Sequence, residues 1–200
     1  MATTTLDMSI SLDGFVAGPH VSNDNGLGDG GTRLHEWLLG PDGSFDDRRL
    51  GDLEPADREV YAEMMSTGAV IAGRGTFEPA QGWGGDHHDG VPIFIISRHP
   101  APPEYADMTR VTYTPDVRAA VGQARAAAGE RGVLVHGAGV APRLLAVGEL
   151  DEIQLHVVPV LLGQGRRLFD DLPAAQVELE LVRAQPGREA LHVRYRVRKG

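Results

Sequence analysis

Two short segments of the chain carry the residue types that hold a phosphate. In Gly73-Arg74-Gly75-Thr76 the glycines allow close backbone approach, Thr76 can bond a phosphate oxygen, and Arg74 offers a two-pronged guanidinium donor. His136-Gly137-Ala138-Gly139 precedes a helical pattern, so its backbone N–H groups can cradle a diphosphate at a helix N-terminus. Ser97-Arg98 adds a hydroxyl and a second guanidinium at the end of another apolar run. Neither turn reads G-x-G-x-x-G, and no acidic residue follows at the distance where that fingerprint places its ribose partner. An ordinary Rossmann arrangement is therefore a poor fit.

The elements behind these turns are legible from periodicity. Ala69-Val70-Ile71-Ala72 and Val133-Leu134-Val135 are too short for helices and are bounded by glycines, which predicts buried strands. Both turns then fall at carboxyl ends of strands, where open α/β sheets bind their ligands. Residues 4–12 form a first strand, broken at Asp13-Gly14 and resumed at Phe15-Val16-Ala17. From Gly18 to Gly31 the chain is crowded with Gly, Asn and Asp, which predicts an exposed, mobile loop. Leu34, Trp37 and Leu38 follow at helical spacing, with Trp37 turned inward.

Pro55 opens a second helix with an apolar stripe at Val60, Tyr61, Met64 and Met65, ending at Gly68. Val91 to Ser97 and Arg110 to Tyr113 read as strands. Thr114-Pro115 starts a helix carrying Val117, Val121, Ala124 and Ala128, stopped at Gly129. A helix over Pro142 to Val147 and a long strand over Ile153 to Leu162 come next. Val177 to Arg183 and Ala190 to Arg198 flank Pro186-Gly187-Arg188 as an antiparallel hairpin with one buried face. The sum is one α/β domain over residues 1–200, with about eight strands in a mixed, mostly parallel sheet and about four helices.

Composition narrows the chemistry. The chain has no cysteine, which removes disulfides, thiolate metal sites and a cysteine nucleophile. A net charge of −9 argues against nucleic acid as partner, because a phosphate backbone needs a basic face. No window approaches the run of about 18 apolar residues that a membrane span requires. Met1 to Thr5 lacks the basic and apolar regions of a secretory signal, so a cytoplasmic protein is expected. Asp86-His87-His88-Asp89 sets four ligand types side by side, but consecutive side chains diverge, so a polar loop and no metal are expected.

In order and spacing, Ser11 to Ala17, Gly73 to Glu78, Ile96-Ser97-Arg98, His136 to Gly139 and Pro159 to Gly165 with Leu168-Phe169 resemble the dihydrofolate reductase superfamily. Within it the chain is similar to the C-terminal reductase domain of the bifunctional riboflavin-biosynthesis deaminase-reductases. The resemblance implies a dihydrofolate-reductase-like fold, NADPH as hydride donor, a flat heteroaromatic substrate of pteridine or aminopyrimidine type, and a homodimer paired near the terminal hairpin. The nearest activity is reduction of 5-amino-6-(5-phosphoribosylamino)uracil; a stand-alone dihydrofolate reductase and an NADPH sensor without turnover are the alternatives.

Carried over residue by residue, Gly73, Arg74, Gly75 and Thr76 bind the 2′-phosphate and pyrophosphate end of the cofactor. Ser97 and Arg98 flank the adenine ribose, and His136, Gly137, Ala138 and Gly139 cradle the pyrophosphate. Val16 and Ala17 line the nicotinamide, and Gly18 to Gly31 is the lid. The helix that carries a carboxylate in dihydrofolate reductases holds Leu34 at that position, which leaves Glu36, beside His35, and Asp13 as candidate acids. Trp37, Leu162 and Gly163 are the candidate substrate contacts.

Overall fold

The protein is described from a computed structural model covering residues 1–40, 53–170, 172 and 176–199. Among these residues ten strands and five α-helices follow in chain order: β1 (Thr4–Ser11), β2 (Phe15–Ala17), α1 (Glu36–Leu39), α2 (Pro55–Met65), β3 (Ala69–Gly73), α3 (Arg74–Phe77), β4 (Ile93–Ile96), β5 (Val111–Thr114), α4 (Val117–Ala128), β6 (Val133–His136), α5 (Ala141–Ala146), β7 (Glu152–Val158), β8 (Arg166–Arg167), β9 (Leu179–Pro186) and β10 (Leu191–Val197). Eight strands form one sheet in the order β5-β4-β3-β6-β1-β7-β10-β9, while β2 and β8 pair apart from it. All neighbours from β5 to β7 are parallel; β10 runs antiparallel to β7 and to β9. This is the mixed, mostly parallel sheet with a terminal hairpin that the periodicity predicts.

Apolar side chains fill the centre of one sheet face. Leu6 and Ile10 of β1, Ile71 of β3 and Val133 and Val135 of β6 pack against Ala120, Val121, Ala124 and Ala128 of α4 and Leu144 of α5. Asp116 caps α4, its carboxylate accepting from Arg118 N and Ala119 N, so the helix begins two residues later than Thr114-Pro115 suggests. The strand expected over Ile153 to Leu162 stops at Val158, because Pro159 has no N–H for the ladder.

Two further local expectations differ from the structure. Strand β10 of the terminal hairpin is covered on both sides at its centre: Val193 and His192 point to opposite sides, yet are 7% and 0% exposed, because α2 lies over the second side. The Gly18–Gly31 loop is held by its own hydrogen bonds, Gly18 N to Leu27 O, Asp29 N to Pro19 O, and a reciprocal pair between Ser22 and Asn25. Gly28, at φ 69°, has Gly18 O in the space a Cβ would need. Composition alone predicts an exposed, mobile loop; the backbone closes this segment on itself through the Ser22–Asn25 pair.

Core and edge give a stability contrast. Leu144 is fully buried and Leu181 on the edge strand is 59% exposed. Leu144→Ala should cost roughly 2–5 kcal/mol and Leu181→Ala less than about 0.5 kcal/mol, read as shifts in the urea midpoint at constant slope.

Candidate active site

The site begins where the central strand loses a partner. β1 pairs with β7 from Thr5 to Ser11 but with β6 only from Thr4 to Leu6, so past Leu6 its second edge is open. Here β6 ends and the chain turns at Gly137, whose φ of 112° favours glycine. A side chain at that position would run into Thr76 Oγ1. The two glycine turns, 60-odd residues apart in sequence, are thus neighbours, because Ala72 and His136 pair at the ends of β3 and β6. Gly137 N donates to Met8 Sδ at 3.2 Å and His136 Nδ1 donates to Asp7 O at 2.8 Å, which floors the opening. Burial pushes the His136 pKa down, so the ring is neutral with its proton on Nδ1 and its Nε2 an acceptor.

The candidate phosphate contacts fall into two groups. Gly139 is exposed and borders a cavity of about 390 Å³ with Pro142, Arg143, Ala146 and Arg166. Arg98, at the end of β4, lies close enough that its charge, after burial, helps push the Arg143 guanidinium down. Arg143 donates only to backbone carbonyls, those of Ile96 and Pro115 at 3.4 Å. Among the described residues no carboxylate pairs with Arg98, Arg143 or Arg166, although most arginines elsewhere in the molecule are paired. Three guanidiniums without a carboxylate partner among the described residues leave local positive charge in a chain of net charge −9. Arg143 and Arg166 carried no signal in the sequence; only the fold sets them beside Gly139.

Arg74 and Ser97 are engaged locally. Arg74 Nε lies 2.5 Å and its Nη2 3.1 Å from the Glu78 carboxylate one turn on, so a phosphate would have to displace that pair. The Ser97 hydroxyl closes its own turn, accepting from His99 N and donating to His99 O. Val16 is buried and Ala17 half-buried, with Gly165 pressed against Ala17 O.

Asp13 meets Leu162 and Gly163. Its carboxylate accepts from Ser11 Oγ at 2.6 Å, Gly163 N at 2.7 Å and Leu162 N at 3.1 Å, tying the β1–β2 turn to the segment before β8. The Ser11 hydroxyl foremost, with both backbone donors, holds its pKa below the usual carboxylate value. An anion held by three donors fixes a loop and is a poor proton source. Glu36 is ion-paired with Arg33 at 3.4 Å, and burial pushes the His35 imidazole down to about 4. Leu34, at the carboxylate position of the resemblance, is fully buried.

Trp37 is 6% exposed, donates from Nε1 to Ser9 Oγ at 2.9 Å, and rests on His156 and His192 with centroids 4.5 and 4.9 Å away. Its ring seals a histidine pair rather than offering a free face. His88, expected in a polar loop, is 5% exposed and bonded through Nε2 to Thr67 O, while His87 packs 5.1 Å from His136. No group of three metal-ligating side chains occurs among the described residues, and no helix there is long and apolar enough to cross a membrane. The buried Asp7, Asp57, His156 and His192 escaped sequence reading; the polar alternation Asp7, Ser9 on β1 was the available hint.

Comparisons with known proteins agree with this geometry. A family model described as the RibD C-terminal domain matches residues 2–193. Among solved structures, a putative riboflavin biosynthesis protein from Shewanella sp. PV-4 superposes with TM-score 0.68 at 18% identity, covering 100% of both chains. RibD from Acinetobacter baumannii gives 0.64 at 18% identity, with all of this chain spanning 59% of that one. Dihydrofolate reductase from Enterococcus faecalis, complexed with NADP(H) and an inhibitor named RAB-propyl, gives 0.57 at 14% identity over 98% of this chain and 97% of that one. The fold is dihydrofolate-reductase-like. No curated protein matches the sequence.

The Asp13 anchor has a pH signature. Its depressed pKa means that its contribution is complete above the unfolded carboxylate value of about 3.9 and is lost as pH falls through the lower folded value. Acid unfolding followed by circular dichroism should show the wild type losing stability below about pH 4 more steeply than Asp13→Asn, which cannot ionise.

Proposed function

The chain belongs to the RibD C-terminal domain family, and on that premise we propose that it is a reductase transferring hydride from NADPH to a C=N or C=O of a pteridine- or aminopyrimidine-type small molecule. The observation that carries this reading is Arg143 and Arg166 lining a cavity that begins at the second glycine turn, with Arg98 close to Arg143 and no carboxylate paired with any of the three among the described residues. A dinucleotide with a 2′-phosphate is an anion of the size and charge this place suits. NADPH, when bound, supplies the hydride. The chain's own residues bind and orient: the arginines take the phosphates, Gly137 to Gly139 allow close backbone approach, Arg74 and Thr76 flank the pyrophosphate end, and Val16 and Ala17 line the opening beside β1.

The riboflavin-pathway reductase step is the specific activity this reading favours. Dihydrofolate reduction is less well served, because Leu34 occupies the carboxylate position and Glu36 is held by Arg33. The exposed Leu179, Leu181 and Val182 of edge strand β9 suit a homodimer.

Titration with NADPH and NADH tests the cofactor, and loss of nicotinamide absorbance with aminopyrimidine and dihydrofolate substrates tests turnover. A charge-assisted phosphate contact is worth about 1.5–3 kcal/mol, so at least one of Arg98→Ala, Arg143→Ala and Arg166→Ala should weaken NADPH roughly 10- to 150-fold. NADH, lacking the 2′-phosphate, should be weakened less by that variant; equal losses in all three would refute the 2′-phosphate role. Tight NADPH binding with no oxidation would favour a sensor.

A further inference from the structure

On the sheet face beneath α2 and Trp37, four side chains from four elements form a single line. Asp7 Oδ1 lies 3.1 Å from His156 Nε2, His156 Nδ1 2.7 Å from His192 Nδ1, and His192 Nε2 2.7 Å from Asp57 Oδ1. Their exposures are 6, 2, 0 and 1% for Asp7, His156, His192 and Asp57. Each contact joins two atoms that are acceptors unless one carries a proton, so three contacts need three protons. Two neutral imidazoles supply two. If both donate from Nε2 to the flanking carboxylates, the two Nδ1 lone pairs face each other across 2.7 Å. Placing the extra proton on either imidazole, or on a carboxyl with the ring protons shifted along, satisfies all three contacts and leaves the line with charge −1.

We infer that Asp7, His156, His192 and Asp57 act as one proton-holding unit carrying three protons, one more than two neutral imidazoles supply, and that this unit is the source of the proton that accompanies hydride transfer. The second half rests on the reductase reading above; the first does not. The unit runs from the central strand β1 to the first turn of α2. Asp7 stands where β1 parts from β6, its carbonyl bonded to His136 at the second glycine turn. Asp57 lies in the first turn of α2, its Oδ2 accepting at 3.3 Å from the backbone N–H of exposed Arg188.

The groups facing the line are His136 from β6, His35 from the turn before α1, Gln154 from β7, and Trp37. Burial pushes both outer histidines toward the neutral form, so no fixed cation there competes with the third proton. Burial likewise pushes His192 down against the opposing Asp57 charge, which makes that proton one the unit can release. As hydride adds to carbon, the π electron pair of C=N or C=O moves to nitrogen or oxygen. That atom takes the proton from the Asp7 end, the unit falls from three protons to two, and water restores one at the Asp57 end.

Asp57→Asn separates the possibilities. Its amide N–H can donate to His192 Nε2 while its oxygen accepts from Arg188 N, so all three contacts persist with two neutral imidazoles. Ring ¹⁵N and carboxyl ¹³C spectra of the cofactor-free protein near neutral pH count the protons. Three on the wild-type unit, falling to two plus the amide in Asp57→Asn, is the expected result; two on the wild type would overturn the unit. Asp7→Asn serves equally should Asp57→Asn not fold. In turnover, Asp57→Asn should lower kcat roughly 10²- to 10⁴-fold with KM little changed. An unaltered kcat and pH profile would overturn the proton-source role. A wild type that binds no NADPH would overturn the reductase reading and that role together, leaving the proton count to the spectra.

Discussion

Strand β1 is hydrogen-bonded on both edges only as far as Leu6. Beyond it one edge is open, and most of what is distinctive in the molecule is arranged around that gap. The opening follows from unequal strand lengths: β6 has four residues and β1 has eight, so the shorter strand must turn away before the longer one ends. Because the neighbouring β3 ends level with β6, both glycine turns arrive at the same place. An unpaired strand edge in the middle of a sheet leaves backbone groups without ladder partners, a cost borne where a ligand can meet them.

Charge is sorted around this gap. On the α2 side of the sheet Arg183 and Arg194 are bound to Glu63, with Glu152 completing the second pair, and on α4 Arg125 spans Glu149 and Asp151. Such pairs neutralise their arginines. Beside α5, Arg98, Arg143 and Arg166 have no such neighbour among the described residues, so positive potential survives locally in an acidic chain. Asp13 acts in the opposite sense, gathering three donors and holding the loop before β8 against the β1–β2 turn.

The two faces of the sheet obey different rules. Under α4 and α5 the filling is aliphatic, and alternation along β1 puts Leu6 and Ile10 there. The other face receives Asp7 and Ser9, which would be costly to bury unpaired. They are paired: Ser9 accepts from the Trp37 indole, and Asp7 leads into the histidines. A polar line so enclosed requires every member's partner, which explains why α2, β7, β10 and β1 must dock in one register.

Local patterns determined much of this by themselves. Short apolar runs bounded by glycine specified the buried strands β3 and β6; Gly129 marked the end of α4; and alternation in the last twenty residues specified the hairpin. The glycine turns could be placed at strand ends, since strand length and turn chemistry are properties of a few consecutive residues. What the turns meet was beyond any local pattern. Arg143 lies on helix α5 and Arg166 on the two-residue strand β8, and nothing in their sequence neighbours distinguishes them from solvated arginines. His156 and His192 read as the polar positions of half-exposed strands until α2 and Trp37 cover them. Register, strand order and the docking of one helix are long-range outcomes. They decided which arginines stand without partners, which histidines share a proton, and that the two glycine turns close upon one another.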